Sequence, residues 1–173
     1  GDFTNEMIIE ASKRGKVAVD VQALLRHVNL EDHTMFFEDW KEKKEVLPYI
    51  EYLKTDAAEA EILTGLTDRY EAAKLLHTWG AKEVVITHNT EVIAYDGKEF
   101  CSCPIRARNL SGRTGRGDTT FAAYMTERLH HSMKDSLLYA TATVSNKMEI
   151  PGPYKGTRAD VDKYIEEFYS DIK

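Results

Sequence analysis

Apolar residues recur along the chain with two different periods, and the changes of period mark its elements. In NEMIIEASKRG, Met7, Ile8, Ile9 and Ala11 predict a helix that stops at Gly15. The valine-rich KVAVDVQ predicts a short buried strand, WKEKKEVLPYI a helix up to Pro48, and YIEYLKT a second strand. DAAEAEILTG predicts a short helix with Asp56 as N-cap, Glu59 three residues on and Gly65 at its end. DRYEAAKLLHTWG predicts an amphipathic helix with Tyr70, Ala73, Leu75 and Leu76 on its apolar face, closed by Gly80. Three strands follow in KEVVITH, TEVIAYDG and KEFCSCPI, the last two joined through Asp96-Gly97, a hairpin signal. The helix DTTFAAYMTERLHH carries Phe121, Tyr124, Met125 and Leu129 along one side. MKDSLLYATATVSNKM predicts a mostly buried helix, and RADVDKYIEEFYSDI the last one. Helix and strand alternate through the first half, so the predicted class is α/β with a largely parallel sheet, in one domain over residues 1–173.

Composition narrows the partners. A net charge of −6 among 173 residues argues against nucleic acid or an anionic membrane as the main partner. No apolar run approaches the roughly 20 residues that span a bilayer, and the opening GDFTNEMIIE lacks the pattern of a signal peptide. Cys101 and Cys103, with no second Cys or His pair for a zinc site, read as reduced thiols of a cytoplasmic protein.

The stretch SGRTGRGDTTF, residues 111–121, carries the candidate chemistry. Small residues before a helix start expose amides that form a concave donor array, and the helix dipole adds partial positive charge. Such a cradle suits a phosphate whose charge grows during transfer. Asp118 at the first turn is placed to take a proton from an attacking hydroxyl. The competing readings are a Gly-rich turn with an Asp N-cap and, for Arg116-Gly117-Asp118, an adhesion tripeptide. GxxxxGK[ST] is absent, so this is no P-loop.

GRGDTTFAAYM resembles the second signature of the PfkB/ribokinase family of small-molecule kinases: Gly117-Asp118, three residues, the small pair Ala122-Ala123, then Tyr124-Met125. LKTDAAEAEILTG resembles the family's Asn-x-x-Glu segment, with Asp56 in the Asn position and Glu59 as the Glu. VVITH resembles the strand before the nucleotide site, and ATATVSNKMEIPG the late helix and loop near the adenine. The resemblance implies a ribokinase-like three-layer α/β/α fold and transfer of the ATP γ-phosphoryl group to a hydroxyl of a sugar or sugar-like molecule. It implies Asp118 as catalytic base and the amides of Gly115, Arg116, Gly117 and Asp118 as anion hole. Glu59 and Asp56 would organise Mg²⁺ and its waters, and Thr87 and Asn146 would lie at the nucleotide. Taken alone, Glu59 also reads as the capping-box partner of Asp56.

Several positions depart from the pattern. Arg116 replaces the usual small residue of the anion hole. Gly112 stands where the family often has an Asp that helps hold a monovalent cation, which puts potassium activation in doubt. Thr87 is followed by His88-Asn89-Thr90 rather than by the family's Thr-x-Gly. Family members are longer, and only their C-terminal part is matched. The expectation is therefore a chain truncated at its N-terminus, lacking the lid and most of the acceptor site. Its exposed sheet edge would favour a homodimer or other self-association. The alternative function is a catalytically inactive nucleotide-binding module.

Overall fold

The computed structural model describes residues 3–172. Two compact units divide the chain, residues 1–87 with 94–100, and residues 88–93 with 101–173.

In the first unit, helix α1 (Asn5–Ser12) starts where the Thr4 side chain accepts from the Met7 amide. Strand β1 (Ala18–Asp20) and strand β4 (Tyr52–Asp56) pair in parallel, Ala18 opposite Tyr52. Strand β5 (Glu83–Thr87) pairs in parallel with β4, Asp56 opposite Thr87. All five β5 residues are buried, as expected for a parallel strand covered on both faces. Helix α4 (Ala57–Thr64) is held by a capping box between Asp56 and Glu59 and ends at Gly65, whose φ of 73° is left-handed. Helix α5 (Arg69–Thr78) is capped by Asp68 and buries Ala72, Ala73 and Leu76, whereas Tyr70 and Leu75 are half-buried. The strand order of the sheet is β1-β4-β5-β6-β7, where β6 (Glu91–Tyr95) and β7 (Phe100–Pro104) each have residues in both units. Their three- and four-residue connections are too short for a parallel crossover.

Between β1 and β4 the chain differs from the sequence expectation. Helix α2 (Gln22–Leu25) leads into a separate two-stranded antiparallel sheet of β2 (Arg26–Val28) and β3 (Met35–Phe37). All three β3 residues are exposed, so no buried face imprinted a period of two on the sequence. The helix expected across WKEKKEVLPYI is only α3 (Lys43–Val46), and Leu47–Tyr49 tighten into a 3-10 turn. Pro48 lacks the N–H that an α-helix interior requires.

In the second unit, helix α6 (Arg116–Arg128) begins two residues before Asp118. Its buried face is Thr120, Tyr124 and Glu127, one step round from the expected Phe121, Tyr124, Met125 and Leu129. Leu129 is 71% exposed. Helix α7 (Met133–Met148) buries twelve of its sixteen residues, as its near-continuous small and apolar sequence predicts. Helix α8 (Arg158–Phe168) starts in a capping box between Thr157 and Asp160. The Tyr169 hydroxyl donates to Pro104 O (2.9 Å) and shares a 2.8 Å bond with Ser145 Oγ, tying the C-terminal segment to β7 and α7.

Candidate active site

In the first unit the expected residues gather at the C-terminal ends of β4 and β5. Asp56 Oδ1 accepts from the Glu59 amide (2.8 Å), and Glu59 Oε2 accepts from the Asp56 amide (2.7 Å). Thr87 closes β5 in register with Asp56 and is buried. Glu59 is 3% exposed, and burial raises its carboxyl above the ordinary range, against the Asp56 amide and Lys54, which lower it. Lys54, itself buried, lies 2.9 Å from Asp20 Oδ2 and 4.0 Å from Glu59 Oε2. No periodicity along the chain points to this Lys54–Asp20 pair, because the two residues lie on strands 34 positions apart that meet only in the folded sheet.

Among the described residues, no three His, Cys, Asp or Glu side chains come together as a metal cage. The carboxylates of Asp56 and Glu59 nonetheless suit a magnesium ion. Mg²⁺ keeps most of its waters and takes one or two carboxylates. Every hydrogen bond recorded for this pair uses Asp56 Oδ1 or Glu59 Oε2, and none among the described residues reaches Oδ2 or Oε1.

In the second unit, Gly115 is the N-cap of α6 at φ 77°, a left-handed conformation natural for glycine. The Arg116 amide donates to Arg113 O (3.2 Å) and the Thr119 amide to Gly115 O (3.0 Å). Among the described residues, the amides of Gly115, Gly117 and Asp118 have no backbone acceptor outside the helix. They are the orphan donors of a helix start, carrying the positive end of its dipole. Asp118 is not the cap. It is exposed, three residues into the sequence after Gly115, and its carboxylate makes no hydrogen bond among the described residues. It lines a cavity of about 570 Å³ with Ala122, Tyr139 and Arg158.

Arg116 brings its side chain to this end as well. Its guanidinium donates to Asn89 Oδ1, which also accepts from Arg113 Nη2 at 3.1 Å. Two cations therefore converge on one amide oxygen beside the free amides. Asn89 and Arg113 were not identified from the sequence; their only trace there is the departure at His88-Asn89-Thr90. Asn146, on α7, donates to the Tyr154 hydroxyl (3.3 Å) and lines a second cavity of about 410 Å³ with Ile150, Pro151 and Pro153. Cys101 and Cys103 are not joined in a disulfide, and burial pushes the Cys103 thiol up to about 11.

Gly112 explains one departure. A Cβ there would lie 2.0 Å from Ile150 O and 2.5 Å from Ile150 C. Any side chain at this position, aspartate included, requires the backbone of Ile150 to move.

Among the described residues, a five-stranded sheet with β1, β4 and β5 parallel, an α6 start whose amides lack backbone acceptors, and an Asp118 carboxylate without a hydrogen bond define an α/β protein with a candidate anion site. Residues 16–157 match the pfkB family of carbohydrate kinases, and the chain belongs to that family. It is 36% identical over 85 residues to a cytidine kinase of Thermococcus kodakarensis, 47% of this chain and 31% of that relative. Among solved structures, it resembles a pyrophosphate-dependent myo-inositol-1 kinase converted by mutation into a myo-inositol-3 kinase. That likeness has TM-score 0.87 and 32% identity, over 98% of this chain and 60% of the other. A pyrophosphate-dependent kinase of the ribokinase family, complexed with a pyrophosphate analog and myo-inositol, gives TM-score 0.86 and 33% identity, over 94% and 59%. The ribokinase of Arabidopsis thaliana shares the fold at TM-score 0.75 and 22% identity, over 94% and 53%. The chain thus spans about a third to three fifths of the length of these relatives. No helix among the described residues is long and apolar enough to cross a membrane.

Proposed function

We propose that the protein transfers the γ-phosphoryl group of ATP to a hydroxyl of a sugar-like small molecule, with Asp118 as the base. The observation that carries this reading is the exposed Asp118 carboxylate, without a hydrogen bond among the described residues, on the helix end whose amides there lack backbone acceptors. The acceptor oxygen forms a bond to phosphorus, the bond to ADP breaks, and the hydroxyl proton passes to Asp118. The amides of Gly115, Gly117 and Asp118 meet the charge on the transferred group, where fixed donors are worth most. Arg116 contributes its guanidinium, since its amide already donates to Arg113 O. Asp56 and Glu59 would hold magnesium and its waters, which neutralise phosphate charge during transfer. Thr87 and Asn146 belong to the nucleotide side of the proposal, Asn146 through the cavity it lines with Tyr154. The likeness to a cytidine kinase and to myo-inositol kinases supports an acceptor among nucleosides and polyols.

A second reading concerns the donor. Arg113 and Arg116 both reach Asn89 Oδ1, and two forked guanidiniums suit a compact polyanion. This favours pyrophosphate in place of ATP, as in the relatives named for it. Turnover of a polyol or nucleoside panel with each donor distinguishes the two. Asp118→Asn should lower transfer by about 10²–10⁴-fold and leave donor binding nearly intact. Retained turnover removes Asp118 as base, and ATP binding without transfer by the unaltered protein selects the inactive nucleotide-binding module.

A further inference from the structure

Lys147 lies near the end of α7, 2% exposed. Its ammonium donates to two backbone carbonyls, Gly112 O and Thr114 O, both at 2.5 Å. Among the described residues no carboxylate pairs with it. A buried ammonium is costly unless its charge is met, and here the loop before α6 meets it with peptide dipoles. The loop is pressed onto α7 at the same place, since the Gly112 amide donates to Met148 O at 2.7 Å.

The consequence for the cradle comes from peptide planarity. In a trans peptide the N–H points opposite to the C=O of the preceding residue. Drawing Thr114 O onto the ammonium turns the Gly115 N–H away from it, and Gly115 is one of the free donors at the α6 start. Drawing Gly112 O onto the same point fixes the peptide two residues earlier. One buried charge thus sets the direction of the loop that offers its amides.

We propose that Lys147 is a tethered monovalent cation: its ammonium holds the Gly112 and Thr114 carbonyls, aims the Gly115 amide at the donor phosphate, and makes a dissolved cation unnecessary. Two carbonyls converging on one point are the ligands that K⁺ or NH₄⁺ takes, and Lys147 fills that point from within the chain. Lys147 is a positioning residue here, and the proposal rests on the phosphoryl-transfer reading.

The test exchanges cations at equal ionic strength. For the unaltered protein, replacing K⁺ by tetramethylammonium should change neither turnover nor melting temperature; a loss of either overturns the proposal without any variant. Lys147→Ala should lower kcat/KM for the donor by about 10²-fold, the scale of a lost anion-hole donor, and lower the melting temperature. K⁺ or NH₄⁺, small enough for the vacated point, should restore much of both, and tetramethylammonium neither. A variant indifferent to the cation in both measurements overturns the tether. Absence of phosphoryl transfer by the unaltered protein instead overturns the kinase reading, and the melting experiment still decides whether Lys147 acts as the loop's cation.

Discussion

Replacing Gly112 with alanine puts a methyl group into the backbone at the end of α7. The new Cβ would stand 2.0 Å from Ile150 O, 2.5 Å from Ile150 C and 3.0 Å from Lys147 O. All three neighbours are backbone atoms, so no flexible side chain can swing aside. Ordinary contact requires the loop and α7 to part by more than 1 Å, roughly, to reach van der Waals distance. That movement breaks the 2.7 Å bond from the Gly112 amide to Met148 O and loosens the Lys147 contact. Overpacking strain of about 1–3 kcal/mol and a lost hydrogen bond of about 1 kcal/mol together give about 2–4 kcal/mol. For a chain of this size that lowers the melting temperature by about 5–15 °C. Gly15→Ala is the control: a Cβ there meets nothing within 4 Å, and the substitution should be neutral or stabilise by about 0.4–1 kcal/mol. Thermal unfolding followed by circular dichroism at pH 7 reads both. If Gly112→Ala melts with the wild type, or Gly15→Ala loses as much, the close approach of loop and helix is not what requires glycine.

Lys54→Met removes the cation 2.9 Å from Asp20 and 4.0 Å from Glu59, leaving a buried carboxylate without it, and should cost about 3–5 kcal/mol at pH 7. Burial already raises the Glu59 carboxyl. Its folded form therefore holds a proton more readily than the unfolded chain, and stability falls as pH rises from about 4.5 through the raised value. Denaturant melts should show the Lys54→Met penalty growing with pH across that window; a constant penalty would exclude Glu59 as its source. Burial also pushes Glu149 up, but hydrogen bonds from the Arg108 side chain and amide and from Tyr164 outweigh it and lower the carboxyl below the ordinary range. That stabilisation is present above about pH 4.5 and is lost as pH falls through the lowered folded value. Glu149→Gln should cost about 2 kcal/mol at pH 7, the scale of charge-assisted bonds, and nothing once the wild type is protonated. A difference that persists in acid would refute the assignment.

Much of the candidate site was legible along the chain because it is local. Asp56 and Glu59 face each other within one helical turn, so three residues of spacing were enough to read the capping box that the structure contains. Gly115 and Asp118 flank one helix start, and the glycine-rich composition announced it. The buried strand β5, the Gly65 helix stop and the near-continuous burial of α7 are likewise local consequences of residue type and period.

Contacts between distant segments were not legible. The α6 face was misread by one position, because Glu127 is buried by its partner Arg158, 31 residues away. A buried glutamate looks like a solvent position in a hydrophobic pattern, and an exposed Leu129 looks like core. Arg116 stood unexplained in the sequence, since its partner Asn89 lies 27 residues earlier. Gly112 read as a missing aspartate until the backbone of Ile150 occupied the space. Lys147 carried no signal along the chain, although its charge is buried against carbonyls 33 and 35 residues away. Period and spacing thus determined the elements and the residues that act through their nearest neighbours. Which charges are buried, and which amides they aim, depended on dipoles and van der Waals contacts that only the folded chain brings within reach.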